Sequence, residues 1–223
     1  MPAPSAKRKP GRAARRPNGA ARDPERTRRR ILEAASAEFA RYGLGGARID
    51  RIARRAGANK RMLYYYFGDK DGLFLAALEA RYAHIREAER ALRLEHLEPR
   101  AALDRLVRFT WDYCLEHPEF ITLLNSENLH KGRHLRRSRR VQAMHSPLVG
   151  MLREVLQRGV REGVFRRGID PVQLYISIAG EGYFYLSNRY TLSRIFGRDL
   201  MSPRALAARA RHMSRFVLDA VRK

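Results

Sequence analysis

The sequence contains very little cysteine and no long apolar run. Cys114 is the single cysteine among 223 residues, so no intramolecular disulfide can form, as is usual in a reducing cytoplasm. No apolar run approaches the roughly 20 residues that span a bilayer. The N-terminus has arginine pairs without an apolar segment behind them, so neither a secretory nor a twin-arginine signal is supported. These absences predict a cytoplasmic protein with no membrane partner.

Acidic residues are also scarce. Lys and Arg number 46 against 23 Asp and Glu, which gives a net charge of +23 and a pI near 11.2. A charge of this size favours a polyanionic partner such as nucleic acid, although an acidic membrane surface would attract it as well. The hydrophobic share of 44% is enough to form a core, and the length suits one small and one medium domain.

Strand signals and catalytic motifs are absent as well. There is no alternating strand pattern and no hairpin dipeptide between apolar runs, so the helical spacing of apolar residues predicts an all-α fold of about nine helices. The sequence has no GxSxG, P-loop or Rossmann glycine pattern. The three-residue spacing of Cys114 and His117 is common by chance, so we expect neither an enzyme nor a cofactor.

One cluster has the residue types of a metal site. Glu127 and His130 form a Glu-x-x-His pair, and His134 follows four residues later. Di-iron helix bundles use two such pairs, but no second pair exists here and Gly132 interrupts the helical pattern between the histidines. The ligand set is too small for a metal ion, so we predict no metal site.

The region from residue 49 to residue 73 contains two short helical patterns joined by a glycine. The first has an apolar face at three- and four-residue spacing, formed by Ile49, Ile52, Ala53 and Ala56. Gly57 ends it, because glycine adopts the left-handed C-terminal conformation without a Cβ clash. Asn59 is a suitable N-cap for a second helix from about Lys60 to Tyr66. This is the layout of a helix-turn-helix DNA reader.

The second of these helices has a basic outer face near its N-terminal end. Leu63 and Phe67 are its natural buried anchors, which leaves Lys60, Arg61 and Met62 exposed where a recognition helix meets base edges. Arg61 can donate two parallel bonds to guanine O6 and N7, and lysine can reach the same acceptors. Met62 can touch a thymine methyl group.

Three consecutive tyrosines add aromatic surface to the same helix. Tyr64, Tyr65 and Tyr66 cannot all point inward on a helix of about two turns. Exposed aromatic rings beside Arg and Lys indicate a binding face, and tyrosine hydroxyls suit phosphate oxygens. Asp69 can cap the helix that follows, and Lys70 in its first turn suits a phosphate contact.

These features belong to a longer match. Residues 27 to about 78 resemble the N-terminal domain of the TetR family of transcriptional regulators. In that resemblance, RTRRRILEAASAEFARYG is the first helix with its stop at Gly43, and ARIDRIARRAGANK is the second helix and turn. RMLYYYF is the recognition helix, and GDKDGLF opens the fourth helix with the family's lysine at Lys70.

The chain departs from the family at four positions in this region. Ala47 and Arg48 stand where the family often has threonine or serine, so we expect Arg48 to replace the usual hydroxyl contact to phosphate. Asn59 and Tyr66 stand where the family often has serine and histidine. The predicted DNA-binding residues are Arg48, Asn59, Lys60, Arg61, Met62, Tyr64, Tyr65, Tyr66 and Lys70.

Composition and the resemblance divide the chain into three parts. Residues 1–23 are rich in Pro, Gly, Ala and Arg and are predicted to be a disordered basic arm. This arm either only solubilises the protein or follows phosphates into the minor groove. Residues 24–70 are the predicted helix-turn-helix DNA-binding domain, and residues 71–223 the helical effector-binding and dimerisation domain. Within the latter, a helix is predicted to restart at Pro147.

Two helical patterns near the C-terminus are more apolar than a monomer needs. One runs from Asp170 to about Phe196, with apolar residues around most of its circumference. Gly180 and Gly182 lower its helix propensity, which close backbone approach would offset. The last pattern, ending at about Val221, has an apolar stripe. Two such helices from each subunit would form the four-helix dimer interface that the resemblance implies, although core packing in a monomer would give the same pattern.

Polar or aromatic residues in apolar helix settings are the candidates for a small-molecule effector site. They are Trp111, Tyr113, Asn125, Asn128, Tyr175, Glu181, Tyr183 and Asn188. A tyrosine at helical spacing is more often a core residue with its hydroxyl at the edge, so core packing competes with ligand binding at these positions. Glu181 is the strongest candidate, because a buried carboxylate needs a partner, either a ligand or an arginine across the dimer.

The residues and the resemblance together predict a sequence-specific DNA-binding transcriptional regulator. We expect a homodimer on a palindromic operator in double-stranded DNA, and the family favours a repressor released by a small-molecule effector, here unidentified. The charge alone would also allow a sequence-indifferent nucleic-acid packaging protein. A footprint on one palindromic site would separate the two, because pure phosphate binding has no preferred site.

Overall fold

The computed structural model describes residues 23–223, apart from the side chains of His145 and Ser146. The predicted basic arm, residues 1–23, lies outside the described residues except for Asp23. Within the described range the fold is all-α, as predicted, and no helix there combines the length and apolarity needed to cross a membrane. Its helices are α1 (Pro24–Gly46), α2 (Ile49–Ala56), α3 (Lys60–Phe67), α4 (Lys70–Arg90), α5 (Pro99–Glu116), α6 (Pro118–Leu129), α7 (Arg139–Arg161), α8 (Pro171–Ser187), α9 (Arg189–Phe196) and α10 (Pro203–Val221).

Side-chain caps begin α3 and α4 where the sequence predicts them. Asn59 Oδ1 accepts a hydrogen bond from the Met62 amide at 3.0 Å. Asp69 Oδ1 accepts one from the Gly72 amide at 2.6 Å. Each cap satisfies an amide that has no partner within the first turn of its helix. These two caps therefore determine where the chain leaves the turn on either side of α3.

Two helix boundaries differ from the sequence pattern. Gly43, with φ of 64° and ψ of 178°, interrupts the regular helix as expected, but α1 adds one more turn to Gly46 beyond this kink. The predicted restart at Pro147 was wrong, because Pro147 lies inside α7. That helix begins eight residues earlier, where Ser138 Oγ accepts a hydrogen bond from the Val141 amide at 3.2 Å. A side-chain cap upstream, and not the proline, determines this helix start.

The predicted long helix from residue 170 to residue 196 is divided in two at Asn188. The Asn188 backbone has φ of −104° and ψ of 12°, and its Nδ2 donates a hydrogen bond to the Phe184 carbonyl at 2.9 Å. The side chain thus binds a carbonyl at the end of α8, which compensates for the break. This division accounts for ten helices in the described range instead of the expected nine.

The helices pack around two main hydrophobic cores. The first is built by α1–α4 with one residue from α6 and includes Ile31, Phe39, Ile52, Leu63, Phe74 and Leu123. The second is built mainly by α5, α7, α8 and α10 and includes Leu103, Trp111, Leu152, Ile178 and Met213. Because α4 begins in the first core and continues to Ile85, which packs with Tyr113 and Phe120, it connects the helix-turn-helix region to the rest of the chain.

Candidate nucleic-acid interface

Helix α3 follows the turn after α2 and packs against the rest of the protein through one face only. Gly57 has φ of 57° and ends α2 in the left-handed conformation, which confirms the predicted glycine stop. Leu63 is 2% exposed and packs in the first core with Ile52 and Ala56. Phe67, the second predicted anchor, is half-buried. The remaining surface of α3 is therefore available to a partner.

The outer face of α3 carries the exposed residues that the sequence places there. Tyr65 is 81% exposed, Tyr64 is 49% exposed and Arg61 is also exposed. Tyr66 and Met62 are half-buried and pack against the first core, so Met62 is less exposed than the sequence analysis expected. The prediction that the three tyrosines do not all point inward is confirmed, and it is Tyr66 that turns toward the core.

Ion pairs and hydrogen bonds distinguish the free cations of this face from the paired ones. Lys60 forms an ion pair with Asp50, and the hydrogen bond to that carboxylate raises the pKa of Lys60. Lys70 Nζ donates to the Gly45 carbonyl at 3.3 Å. In the part of the chain that the structure describes, the side chain of Arg61 has neither an ion pair nor a hydrogen bond. The guanidinium of Arg61 is thus the cation on α3 that is free to bind a partner.

Glu38, which the sequence analysis did not single out, holds the start of α2. Its buried carboxylate accepts hydrogen bonds from the Arg48 backbone amide at 3.0 Å and from Arg51 Nε at 2.6 Å. The Arg51 guanidinium lies 4.2 Å from the centre of the Tyr42 ring. The Arg48 side chain stays exposed beside the first turn of α2. The available sequence signal was an acidic residue directly before Phe39, on the apolar face of α1.

The residues of metal-ligand type take part in hydrogen bonds within the chain. Glu127 Oε2 lies 2.5 Å from His134 Nδ1, and Oε1 accepts hydrogen bonds from the backbone amides of His134 and Leu135, each at 2.9 Å. His130 turns away, with Nδ1 2.7 Å from the Ser126 carbonyl oxygen. His134 also packs edge-on against Phe74 of α4. The loop after α6 is thereby joined to the first core.

Three of the predicted effector residues form hydrogen bonds between helices. Tyr183 Oη donates a hydrogen bond to Asn125 Oδ1, and Asn125 Nδ2 donates one to Ser187 Oγ at 3.1 Å, which joins α6 to α8. Tyr175 Oη accepts a hydrogen bond from Arg86 Nη2 of α4 at 2.8 Å.

Trp111 and Tyr113 are buried in hydrophobic clusters. Core packing, the alternative to ligand binding, predicts this burial. The Tyr113 hydroxyl lies 2.8 Å from His84 Nδ1. Asn128 and Asn188 each donate their amide to the carbonyl four residues earlier in the chain. Because these amides bind their own helix ends, they do not point into a shared polar site.

Glu181 has its partner within the same chain. Its Oε2 lies 2.5 Å from Arg209 Nη2, which also donates to the Glu181 carbonyl at 2.7 Å. The sequence analysis expected a ligand or an arginine across the dimer in this place, and here an arginine of α10 in the same chain occupies it. The sequence could not show this, because α8 and α10 meet only when the second core forms.

Arg86 and Glu89 of α4 form a buried charge pair that the sequence analysis missed. The Arg86 side chain is 4% exposed and that of Glu89 is 2% exposed, with Arg86 Nη1 3.0 Å from Glu89 Oε2. Burial, only partly offset by Arg86, raises the pKa of Glu89 to about 7. The sequence signal was two ionisable residues on the side of α4 that also carries Ile85.

The raised pKa of Glu89 predicts a pH-dependent stability. An unfolded glutamate ionises near pH 4.3, so the folded protein holds this proton more tightly than the unfolded chain. Its contribution is complete below pH about 4 and is lost as the pH rises through 7, a loss of about 2 kcal/mol between pH 5 and pH 8. Urea unfolding at both pH values should show that Glu89→Gln lacks this component. An equal pH effect in both proteins would contradict the assignment.

Comparisons with known proteins agree with the helix-turn-helix arrangement. A family model described as bacterial regulatory proteins, tetR family, matches residues 31–77. A second, described as tetracyclin repressor-like, C-terminal domain, matches residues 99–217. The chain is similar to the HTH-type transcriptional repressor NicS of Pseudomonas putida KT2440, with 43% identity over 203 residues, which covers 91% of this chain and 96% of the relative.

Two proteins of Streptomyces coelicolor are similar as well. The HTH-type transcriptional repressor SCO4008 is 40% identical over 142 residues, which covers 63% of this chain and 70% of the relative. The crystal structure of SCO4942 superimposes with a TM-score of 0.67 at 25% identity and covers 87% of this chain and 98% of that one. The likeness extends over both the helix-turn-helix region and the C-terminal helices.

Proposed function

This chain belongs to the TetR family of bacterial regulatory proteins, and we propose that it acts as a homodimeric repressor on a palindromic operator in double-stranded DNA. A two-fold dimer places its two α3 helices in successive major grooves, about 34–36 Å apart. The protein bound at this site blocks transcription. Residues 24–70 serve as the DNA-binding domain and residues 71–223 as the effector-binding and dimerisation domain.

The observation that carries this proposal is the exposed, unpaired guanidinium of Arg61 on the outer face of α3. Arg61 reads a guanine through two parallel hydrogen bonds, and Met62 contacts a thymine methyl group. Phosphate contacts on either side fix the orientation of α3 in the groove. They come from Arg48, Asn59, Lys60, Tyr64, Tyr65, Tyr66 and Lys70.

Lys60 and Lys70 must exchange a protein partner for a phosphate. Lys60 is paired with Asp50, and Lys70 with the Gly45 carbonyl. Both contacts lie at exposed or half-buried positions, where an ion pair contributes little. A DNA phosphate with its higher charge density can therefore replace them.

Exposed apolar residues on α8 and α10 supply the surface for dimerisation. Val172, Ile176 and Phe184 are 44%, 56% and 60% exposed, and with Gly180 they repeat every four residues along one face of α8. Phe216 on α10 is 50% exposed. Exposed apolar side chains that repeat along one helix face are typical of a protein interface. We therefore place the four-helix dimer contact on these faces of α8 and α10.

A small-molecule effector releases the repressor by changing the separation of the two α3 helices. The ligand must bind the state that cannot bind DNA more tightly than the state that can, since only differential affinity shifts the equilibrium. Helix α4 carries Phe74 in the first core and Ile85 beside Tyr113 of α5. A displacement of α4 in the C-terminal part therefore reaches the DNA-binding domain.

Substitution of Arg61 tests the base contact. Arg61→Ala should weaken binding to the preferred operator by about 1–3 kcal/mol and relax base preference at one position. Lys70→Ala should weaken binding to every DNA sequence by about the same factor, because a phosphate contact carries no sequence information. This factor should be smaller than the one that Arg61→Ala causes on the operator. Fluorescence anisotropy measures the affinity of each variant for a selected operator and for a scrambled duplex.

Two results would count against the proposal. Equal losses of Arg61→Ala on the operator and on the scrambled duplex would show that Arg61 does not read bases. A selection from random DNA that returns no preferred site would favour the packaging alternative, since phosphate neutralisation depends on salt and not on sequence.

A further inference from the structure

A small cavity lies between α4 and α7, beside the buried charge pair. Its volume is about 90 Å³, and it is lined by Arg86, Glu89, Arg90, Met144, Pro147, Leu148 and Met151. Helix α4 supplies its charged wall, and α7 supplies apolar side chains. Since one water molecule takes about 30 Å³ in the liquid, the space suits the polar head of a ligand with a short apolar part.

Arg86 lines this cavity, and its buried guanidinium has donors without an acceptor among the described residues. One donor of Nη2 is used by the Tyr175 hydroxyl. Within the described part of the protein, Nε and Nη1 have no hydrogen-bond acceptor, although Nη1 lies 3.0 Å from Glu89 Oε2. Neither carboxylate oxygen of Glu89 accepts a hydrogen bond from a described residue. Buried polar groups are nearly always hydrogen-bonded, so this ion pair leaves donors and acceptors for a further polar partner.

We propose that Arg86 anchors an effector that carries a carboxylate, with the carboxylate on the free guanidinium donors and its apolar part against Met144, Leu148 and Met151. This inference rests on the proposed function and names the chemical class of its effector. The planar guanidinium fork matches a carboxylate through two parallel hydrogen bonds. The apolar residues on α7 add burial for the attached carbon atoms.

The surroundings of Arg86 favour a carboxylate over a phosphate or a neutral amide. Arg86 is one cation, and Glu89 beside it already carries an acidic group, so a phosphate dianion would bring excess negative charge into a buried site. A neutral amide offers one acceptor oxygen and no charge to compensate the guanidinium. The ligand also contacts α4 directly, the helix whose first turn holds Lys70 in the DNA-binding domain.

Calorimetric titration and thermal shift of the full-length protein test the inference. Propionate is the probe, propionamide is its uncharged match in shape, and inorganic phosphate is the alternative anion, all at constant ionic strength. Propionate should bind and raise the Tm, whereas propionamide and phosphate should not. Arg86→Met should weaken propionate binding about 10- to 100-fold, the usual value of a charge-assisted hydrogen bond.

Three further variants keep the test decisive if Arg86→Met fails to fold. Arg86→Lys keeps the charge but lacks the fork, so it should bind propionate more weakly. Glu89→Gln removes the competing carboxylate and should bind propionate more tightly at pH 8. Arg81→Met makes the same chemical change elsewhere on α4 and should leave propionate affinity unchanged.

The inference is overturned if propionate does not bind, if propionamide binds equally well, if phosphate binds more tightly, or if Arg81→Met loses as much affinity as Arg86→Lys. Operator binding by the ligand-free protein is measured in parallel. Specific operator binding without a propionate response rejects this inference alone. Loss of operator specificity with an intact propionate response rejects the proposed function alone.

Discussion

Aspartate in place of Phe184 should make the protein monomeric and remove its high-affinity binding to a palindromic operator. Phe184 is 60% exposed on the apolar face of α8, and the proposed dimer would bury this side chain in both subunits. An unpaired carboxylate buried in such an interface costs about 3–5 kcal/mol, so the dimer dissociation constant should rise by at least about 100-fold. A monomer contacts one half-site only and loses the second recognition helix.

Analytical ultracentrifugation measures the oligomeric state, and anisotropy measures operator affinity on the same samples. Leu129→Asp is the matched control, because Leu129 is 83% exposed on α6, outside the face formed by α8 and α10. The control should stay dimeric and bind the operator normally. A Phe184→Asp protein that sediments as the wild-type dimer would move the interface away from this face of α8.

Alanine in place of Glu127 should cost about 3–5 kcal/mol of folding stability, because each buried donor left without an acceptor costs about 1–3 kcal/mol. Three hydrogen-bond donors lose their acceptor, namely His134 Nδ1 and the amides of His134 and Leu135. His134 packs on Phe74 in the first core, so the loss should also loosen the contact between α6 and the DNA-binding domain. Urea unfolding followed by circular dichroism gives the change in free energy.

Glu127→Gln serves as the control for this prediction. Its amide oxygen can still accept from both backbone amides, while the charge opposite His134 is lost, so we expect a smaller loss of about 1–2 kcal/mol. A Glu127→Ala protein as stable as the glutamine variant would show that the backbone amides of this loop find other acceptors, and that Glu127 does not hold the loop in place.

Features that depend on neighbouring residues were predicted well from the sequence. The caps at Asn59 and Asp69, the stop at Gly57 and the burial of Leu63 are all confirmed, because each depends on side chains within one or two turns. The wrong helix boundaries near Pro147 and Asn188 also have local causes. In both cases a hydrogen bond to the backbone outweighed the apolar periodicity, with Ser138 Oγ as acceptor in one and Asn188 Nδ2 as donor in the other.

Contacts between distant segments were not predictable in the same way. Arg86 and Tyr175 are separated by 89 positions, and Asn125 and Tyr183 by 58. Their distances depend on how α4, α6 and α8 cross, and periodicity within a single helix contains no information about that crossing. An ionisable residue on an otherwise apolar helix face, as at Glu89, was the signal that was present and overlooked.

The all-α class, the basic helix-turn-helix and the aromatic surface of α3 follow from the sequence itself, because helix periodicity, caps and glycine turns are encoded by residues a few positions apart. Only the tertiary structure decided which polar residues of the C-terminal part are already paired and which face a cavity. Glu181 binds Arg209 of its own chain, while Arg86 keeps free donors beside α7. The physical reason is that burial and partner choice arise when separate helices pack, and no local pattern fixes that arrangement.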